Sequence, residues 1–567
     1  MQTTPLLFLF VFILACVPCL YGKPTIYTIG SGARDESELY AFADLHHYKV
    51  EPLFPWKSSH YVIDDTGVTS APSHEGISHI KSRSLALNHK LHDPDNYKRR
   101  RDVDYGARNA LPYTTVDNNF YFPPSTQKEP LHGTHYALHT VPSTVNGSRI
   151  QVYIPDGGFQ CDHAAFSRPN GGFSCDALQG FDVCGDGRNT LPYDFTDYHG
   201  TMCASVICAG ANVYGGGIAP EATCIPRRYI CGTRDWTVID EARGNAVDHA
   251  AILSVSNGPP DFLMYYEFPP QPLLDGIVES WSRGLIRVDA IGNGFQVGDH
   301  ATFDWTTCLR QTLAIGAITG AGLKEEYSEV GPNAFMVGFG AGGSNYIYTA
   351  LPTATKRDLT NMFDGTSAAA PQYAGILALI LGANRNLDQR NMVSILVKSA
   401  ERGAIIDYDF PFDQNAAGYW HSPAFGFGVV NATTAVALAT DPNWTPIPAE
   451  RQCKSTVLSS RVNADDPFTR IEVIIENCNI NFVEFVNLRL TCLLDSTSSL
   501  TGISLISPSG TEGVFLEAGH YYRIQNLDFF SGGWVWYGES ANGVWVFEIS
   551  TLDDFEVSVA SVFIYGY

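Results

Sequence analysis

The stretch DGTSAAAP, Asp364 to Pro371, sets one serine, Ser367, between a Gly-Thr turn and the small and apolar run YAGILALILGAN. That pattern reads as a loop breaking into a buried helix. A serine at such a junction has two uses. Its hydroxyl can cap the helix. It can also sit where unpaired backbone N–H groups and the positive end of the helix dipole favour negative charge, which is the setting for an attacking oxygen. The string alone leaves both open. A serine that cleaves an amide further needs a base for its proton, a carboxylate to orient that base, and a donor for the oxyanion.

Three residues elsewhere have the right types. Asp156 follows the strand-like RIQVYIP and precedes two glycines, His199 opens the small-residue helical segment HGTMCAS, and Asn293 stands in the turn GNG after LIRVDAI. Singly, each has a plain explanation as a turn aspartate, a helix-start histidine or a turn asparagine. Together they run Asp, His, Asn, Ser along the chain.

The elements that must position them can be read from the same pattern. RIQVYIP, CIPRRYI, AAILSVSNG, LIRVDAIGNG and QTLAIGAI are short apolar strands, while PLLDGIVESWSRG and the run after Ser367 have helical patterning. Strands alternating with helices predict a parallel sheet with helices on both faces, and such sheets bind ligands at the carboxyl ends of their strands. Beyond DPNWTPIPAE, near 441–450, the chain turns to alternating runs such as IEVIIENC, GVWVFEI and SVFIYGY, which predict an all-β sandwich or jelly roll.

At 567 residues the length suggests about three or four folding units. A formal charge of -23 argues against a nucleic-acid partner and suits either plain solubility or a cationic substrate. The uncharged apolar run LLFLFVFILACVPCL predicts a cleaved secretory signal over residues 1–22, although MQTTP lacks the usual basic residue. Of thirteen cysteines, Cys16 and Cys19 fall in that leader, so an odd number remains and at least one thiol is free or bridged to another chain. Residues 23–101 end in a basic cluster, Lys98 to Arg101, before the acidic DVDYG, as a linker built to be cut would.

The order Asp, His, Asn, Ser is that of subtilisin, and with HGT, the Asn-bearing turn and GTSAAAP the chain resembles the kexin/furin-type proprotein convertases. The resemblance implies that Asp156 orients, His199 is the general base and acid, Ser367 the nucleophile and Asn293 the oxyanion donor. It implies a small α+β prodomain over 23–101 that acts as inhibitor, a catalytic domain over 102–445 and a β P domain over 446–567. Self-cleavage is expected at Arg101-Asp102 and a second cut after Arg83. Asp261 and Asp304 would meet a substrate arginine, and Asp261, Asp299 and Glu329 would bind Ca²⁺ beneath the pocket. A Cys453–Cys478 disulfide and an unpaired Cys203 near the histidine also follow from it.

The departures bear on specificity. The family's DDG reads Asp156-Gly157-Gly158 here, and its SWGPEDD reads SNGPPDF, so Asn257 replaces a tryptophan and Pro260 an acid. Ala165 replaces a ligand aspartate of another calcium site, and an RGD triplet is missing from the C-terminal module. Sequons at Asn146, Asn431 and Asn443 are expected glycosylation sites. The expected whole is a monomeric, calcium-dependent luminal or secreted endoprotease without membrane anchor, cutting basic precursor proteins after Arg. The alternatives are a broader degradative subtilase and an inactive convertase-like binding protein.

Overall fold

The computed structural model describes strands at residues 25–28, 49–52, 60–64 and 82–83, and residues 141–567 apart from 169–170, 186–189, 193–196, 211–215, 231–237, 248, 260–269, 341–346, 353–358, 404, 456–457, 463–467, 494–497, 517–521, 525–526 and 552–554. The four early strands, β1 (Thr25–Thr28), β2 (Lys49–Pro52), β3 (His60–Asp64) and β4 (Ser82–Arg83), form an antiparallel sheet in the order β2-β3-β1-β4. Arg83 lies in its edge strand, paired with Ile26. Arg101 and Asp102 lie outside the described residues, as does Asp261.

The centre is a seven-stranded parallel sheet. Its strands are β5 (Gln151–Asp156), β6 (Phe181–Asp182), β7 (Thr223–Arg228), β8 (Ala251–Val255), β9 (Leu285–Ala290), β10 (Thr312–Ile318) and β11 (Ala334–Phe339), in the order β11-β10-β9-β8-β5-β7-β6. Every strand predicted from the sequence is present, and β6 and β11 were not foreseen. Strands β8, β10 and β11 are buried along their whole length, because both faces of the sheet are covered. Chain order reverses at β5, so β9, β8 and β5 stand side by side and their carboxyl ends form one edge.

Six α-helices accompany the sheet among the described residues: α1 (His199–Cys208), α2 (Val238–Asn245), α3 (Gln271–Ser282), α4 (Thr366–Ala383), α5 (Gln389–Lys398) and α6 (Ala432–Thr440). Helix α4 begins at the candidate serine and is apolar all round. It packs against α1, β8, β9, β10 and β11. By length and composition alone it could cross a membrane, but most of it is buried inside the protein, as expected of a core helix.

Downstream, two antiparallel five-stranded sheets enclose a second core that includes Trp536, Trp545 and Phe547. In Thr469–Ile475 the buried positions Ile471, Val473 and Ile475 alternate with outward ones, the period-two pattern read from IEVII. The sandwich is joined to the parallel-sheet unit through side chains. Phe303 packs in the sandwich core, Thr302 Oγ1 donates to Phe515 O at 2.6 Å, and Asn487 Nδ2 donates to Cys308 O at 2.9 Å. The SPSGT turn grips a buried acid: Ser507 Oγ donates to Glu539 at 2.7 Å, and Glu539 also accepts from Ala416 N at 3.2 Å.

Candidate active site

Asp156 is the last residue of β5, Ser256 follows β8, and Asn293 lies in the turn after β9, so strand order alone brings them to one edge. Helix α1 delivers the histidine. Its second residue must be glycine, since a Cβ at Gly200 would lie 2.4 Å from Gly158 O and 3.0 Å from Asp156 Cβ. The close approach lets His199 Nδ1 stand 2.7 Å from Asp156 Oδ2, while Asp156 Oδ1 accepts the Gly157 N–H at 2.7 Å. Asp156 is 2% exposed. Burial works against the charged imidazole of His199. The Asp156 carboxylate and Cys203 outweigh it and hold the ring's pKa well above the usual histidine value.

Helix α4 delivers the serine. Gly365 precedes it with φ +85°, in the region that side chains avoid. Pro371 has no N–H to give to the carbonyl four residues back, which is that of Ser367. Ser256 Oγ (3.1 Å) and the Cys203 thiol (3.8 Å) donate to it instead. Ser367 Oγ donates to Ser256 O at 2.9 Å, so the hydroxyl rests along the end of β8. Cys203 Sγ also lies 3.8 Å from His199 Nδ1, and this buried, unpaired thiol thus bridges the histidine and the serine backbone. Asn293 is oriented by Thr366, whose N–H and Oγ1 both donate to Asn293 Oδ1 at 2.9 Å. Its amide nitrogen is the end left over for the cleft.

That cleft is lined by residues 256–259, 290–293, Asp299, Phe303, Asp304, Glu329, Thr366 and Ser367. It brings together Asn293, Ser367, Asp304, Asp299 and Glu329, all named from the sequence. Asp304 Oδ1 takes both Thr306 bonds, from N and Oγ1, at 2.8 Å. Oδ2 faces Gly258 on the cleft wall. Burial pushes the Asp304 carboxyl up, opposed by the Thr306 bonds and by Arg287. Asp299 Oδ1 accepts from His300 N and Glu329 Oε1 from Gly294 N, both at 2.9 Å. As donors, two carboxylates on one wall suit a hard cation.

Residues 147–428 match the subtilase family model. The chain carries a subtilase domain. Its similarity extends to proprotein convertases: it is 30% identical over 428 residues to proprotein convertase subtilisin/kexin type 5 of Homo sapiens, covering 71% of this chain and 22% of the relative. Rattus norvegicus furin is 30% identical over 432 residues, covering 72% of this chain and 52% of furin. The chain therefore spans at most about half the length of these relatives. The crystal structure of the Aeromonas sobria serine protease superposes with a TM-score of 0.62 at 19% identity, over 75% of this chain and 89% of that one. The same protease in complex with its chaperone gives 0.63 at 17% identity, over 80% and 100%.

Around this subtilase site lie contacts that the sequence reading did not foresee. Asn257 bonds Pro155 O through Nδ2 at 2.7 Å and accepts from the Tyr229 hydroxyl. Below the cleft, Arg287 bonds Asp289 Oδ2 through Nε (2.9 Å) and Nη2 (2.7 Å). Burial pushes Glu241 up to about 8 and Asp289 up to about 6, each opposed by Arg287. The available signal was LIRVDAI, with charges two apart in an apolar strand. Gly157 has Asp197 beside it: a Cβ there would lie 3.6 Å from Asp197 Cγ. Ala165 sits buried in a single helical turn.

Among the described residues the disulfides include Cys161–Cys175, Cys208–Cys224 and Cys453–Cys478, and Cys184 is also bonded. Cys308 is a second free thiol, buried and pushed up to about 12 by desolvation. Among the sequons, Asn443 is exposed, and Asn146 accepts from Ser148 N at 3.2 Å. Asn431 caps α6 through Thr434 N (2.9 Å) and donates to Glu401 Oε1 at 2.6 Å.

Proposed function

We propose that the chain is a serine endoprotease that cleaves precursor proteins after arginine. The observation that carries this is the 2.7 Å contact of His199 Nδ1 with buried Asp156, at the same sheet edge as Ser367, Asn293 and Asp304. Ser367 Oγ attacks the scissile carbonyl carbon as His199 takes its proton. Asp156 fixes the ring and stabilises the imidazolium. The Asn293 amide and the backbone N–H of Ser367, at the start of α4, receive the oxyanion. His199 then protonates the leaving amine, and water releases the acyl group by the same route.

Asp304, with Asp261, meets the arginine of the substrate, since a guanidinium entering a closed pocket needs a carboxylate partner. Asp299, Glu329 and Asp261 would hold Ca²⁺, which supplies positive charge to offset this acidic wall. By this reading residues 1–22 are a signal, 23–101 an inhibitory prodomain released by cuts after Arg101 and Arg83, 102–445 the catalytic domain and 446–567 a P domain. The enzyme acts in the secretory pathway lumen or after secretion, and the sequons carry glycans.

A second reading, broader peptide cleavage, is favoured by Gly157, by Asn257 and by the resident cation Arg287. Mass spectrometry of a peptide library digested by wild type and by Ser367→Ala separates the two. Ser367-dependent cuts confined to bonds after Arg support the first. Ser367-dependent cuts with no preference before the bond support the second. Identical patterns from both chains sink both.

A further inference from the structure

We propose that Tyr327 is a positioning residue, whose hydroxyl and backbone carbonyl tie the nucleophile loop to the oxyanion turn and set where Ser367 stands relative to Asn293. The inference rests on the roles proposed above for those two residues. Tyr327 OH accepts the N–H of Gly365, two residues before the serine, at 3.1 Å. Its carbonyl oxygen accepts the N–H of Phe295, two residues after the asparagine, at 3.1 Å.

The segment around Tyr327 holds the oxyanion turn at several more points. Glu329 Oε1 accepts from Gly294 N at 2.9 Å, Glu329 N donates to Gly292 O at 3.3 Å, and Lys324 Nζ lies 3.6 Å from the centre of the Phe295 ring. One side of the bridge is thus fixed, and the phenol carries it across to the other. The Thr366 bonds to Asn293 orient the amide, but they end on a side chain that can swing. The phenol bond links backbone to backbone through a planar ring with few torsions. The neighbouring chain leaves room for the oxygen, because a Cβ at Gly340 would lie 2.4 Å from it. Oxyanion donors act only when held against the position the charge will occupy. A link that sets the spacing between donor and nucleophile therefore changes rate more than binding.

Tyr327→Phe removes the oxygen and keeps the ring. The assay is the second-order rate at which a fluorophosphonate labels Ser367 in the full chain, read by intact mass. In that reaction the Oγ–P bond forms, fluoride leaves and the hydroxyl proton passes to His199; no knowledge of peptide specificity is needed. Labelling is expected to slow about ten-fold in Tyr327→Phe, and by less than about two-fold when the same change is made in an Asn293→Ala background.

Equal rates for wild type and Tyr327→Phe overturn the inference, as does the same ten-fold loss in both backgrounds. A wild type labelled no faster than Ser367→Ala overturns the nucleophile assignment instead. Gly340→Ala, which presses on the hydroxyl from the far side, provides a check independent of how Tyr327→Phe folds. It should slow labelling in wild type more than in the Tyr327→Phe background, and equal slowing in both contradicts the proposal.

Discussion

His199 is placed by a glycine and charged by a neighbour: Gly200 permits the approach, and Asp156 holds the ring's pKa above the free-imidazole value. A base must be neutral to take a proton. Because the shift is upward, the neutral fraction grows as pH rises through a value above about 6.5. The ascending limb of kcat/KM against pH should therefore be centred above that value, and a midpoint below it would remove Asp156 as the dominant neighbour. Asn293→Ala should lower kcat by about 10²–10³-fold with KM little changed, since the donor acts on charge that develops only in the transition state. An equal rise in KM would place the amide on bound substrate instead. Asp304→Asn should cost arginyl substrates roughly 10²-fold in kcat/KM and leave neutral ones unaffected, as measured on paired peptides. The catalytic candidates were legible because each closes a strand or opens a helix, positions that the apolar runs mark. The bonds of Asn257 and Tyr327 were not, because their partners lie about thirty to a hundred positions away.

At the scale of elements, strand β9 carries the least expected feature. Arg287 and Asp289 occupy one face of a buried strand, and their pairing makes the charge tolerable there. Arg287→Met leaves a buried carboxylate unpaired and should destabilise by about 3–5 kcal/mol in denaturant titration. Arg287→Met with Asp289→Leu should recover most of that loss. If the double variant is no more stable than the single, the pair is not what holds the strand. Short apolar runs located the starts of β5, β7, β8, β9 and β10 within two residues. Strand β11 went unread because AFMVGF follows a Gly-Pro turn with no helical stretch before it, so the βα alternation gave no cue. Helix α4 was located by its apolar run, yet the same run hides what its proline does for the Ser367 carbonyl.

The parallel-sheet unit and the sandwich are joined next to the cleft wall. Phe303, next to Asp304, is buried in the sandwich core, and Arg390 bonds Glu484 at 2.7 Å from the other side of the seam. A hydrophobic anchor of this kind predicts one cooperative transition on heating the full chain. A chain ending at Glu450 should melt more than about 10 °C lower and lose arginyl-substrate cleavage along with it, as followed by calorimetry and peptide assay. An unchanged melting point would make the sandwich an appendage. This coupling was beyond reach of the sequence, where both cores read as ordinary alternating or apolar runs and nothing marks Phe303 as belonging to the distant one.

Whether Ser367 is the nucleophile of a protease that processes itself is tested most directly by N-terminal sequencing of full-length wild type and Ser367→Ala expressed side by side. Wild type is expected to yield a fragment beginning at Asp102 and Ser367→Ala to remain uncut at that bond. Both chains intact, or both cut without added protease, would contradict that role.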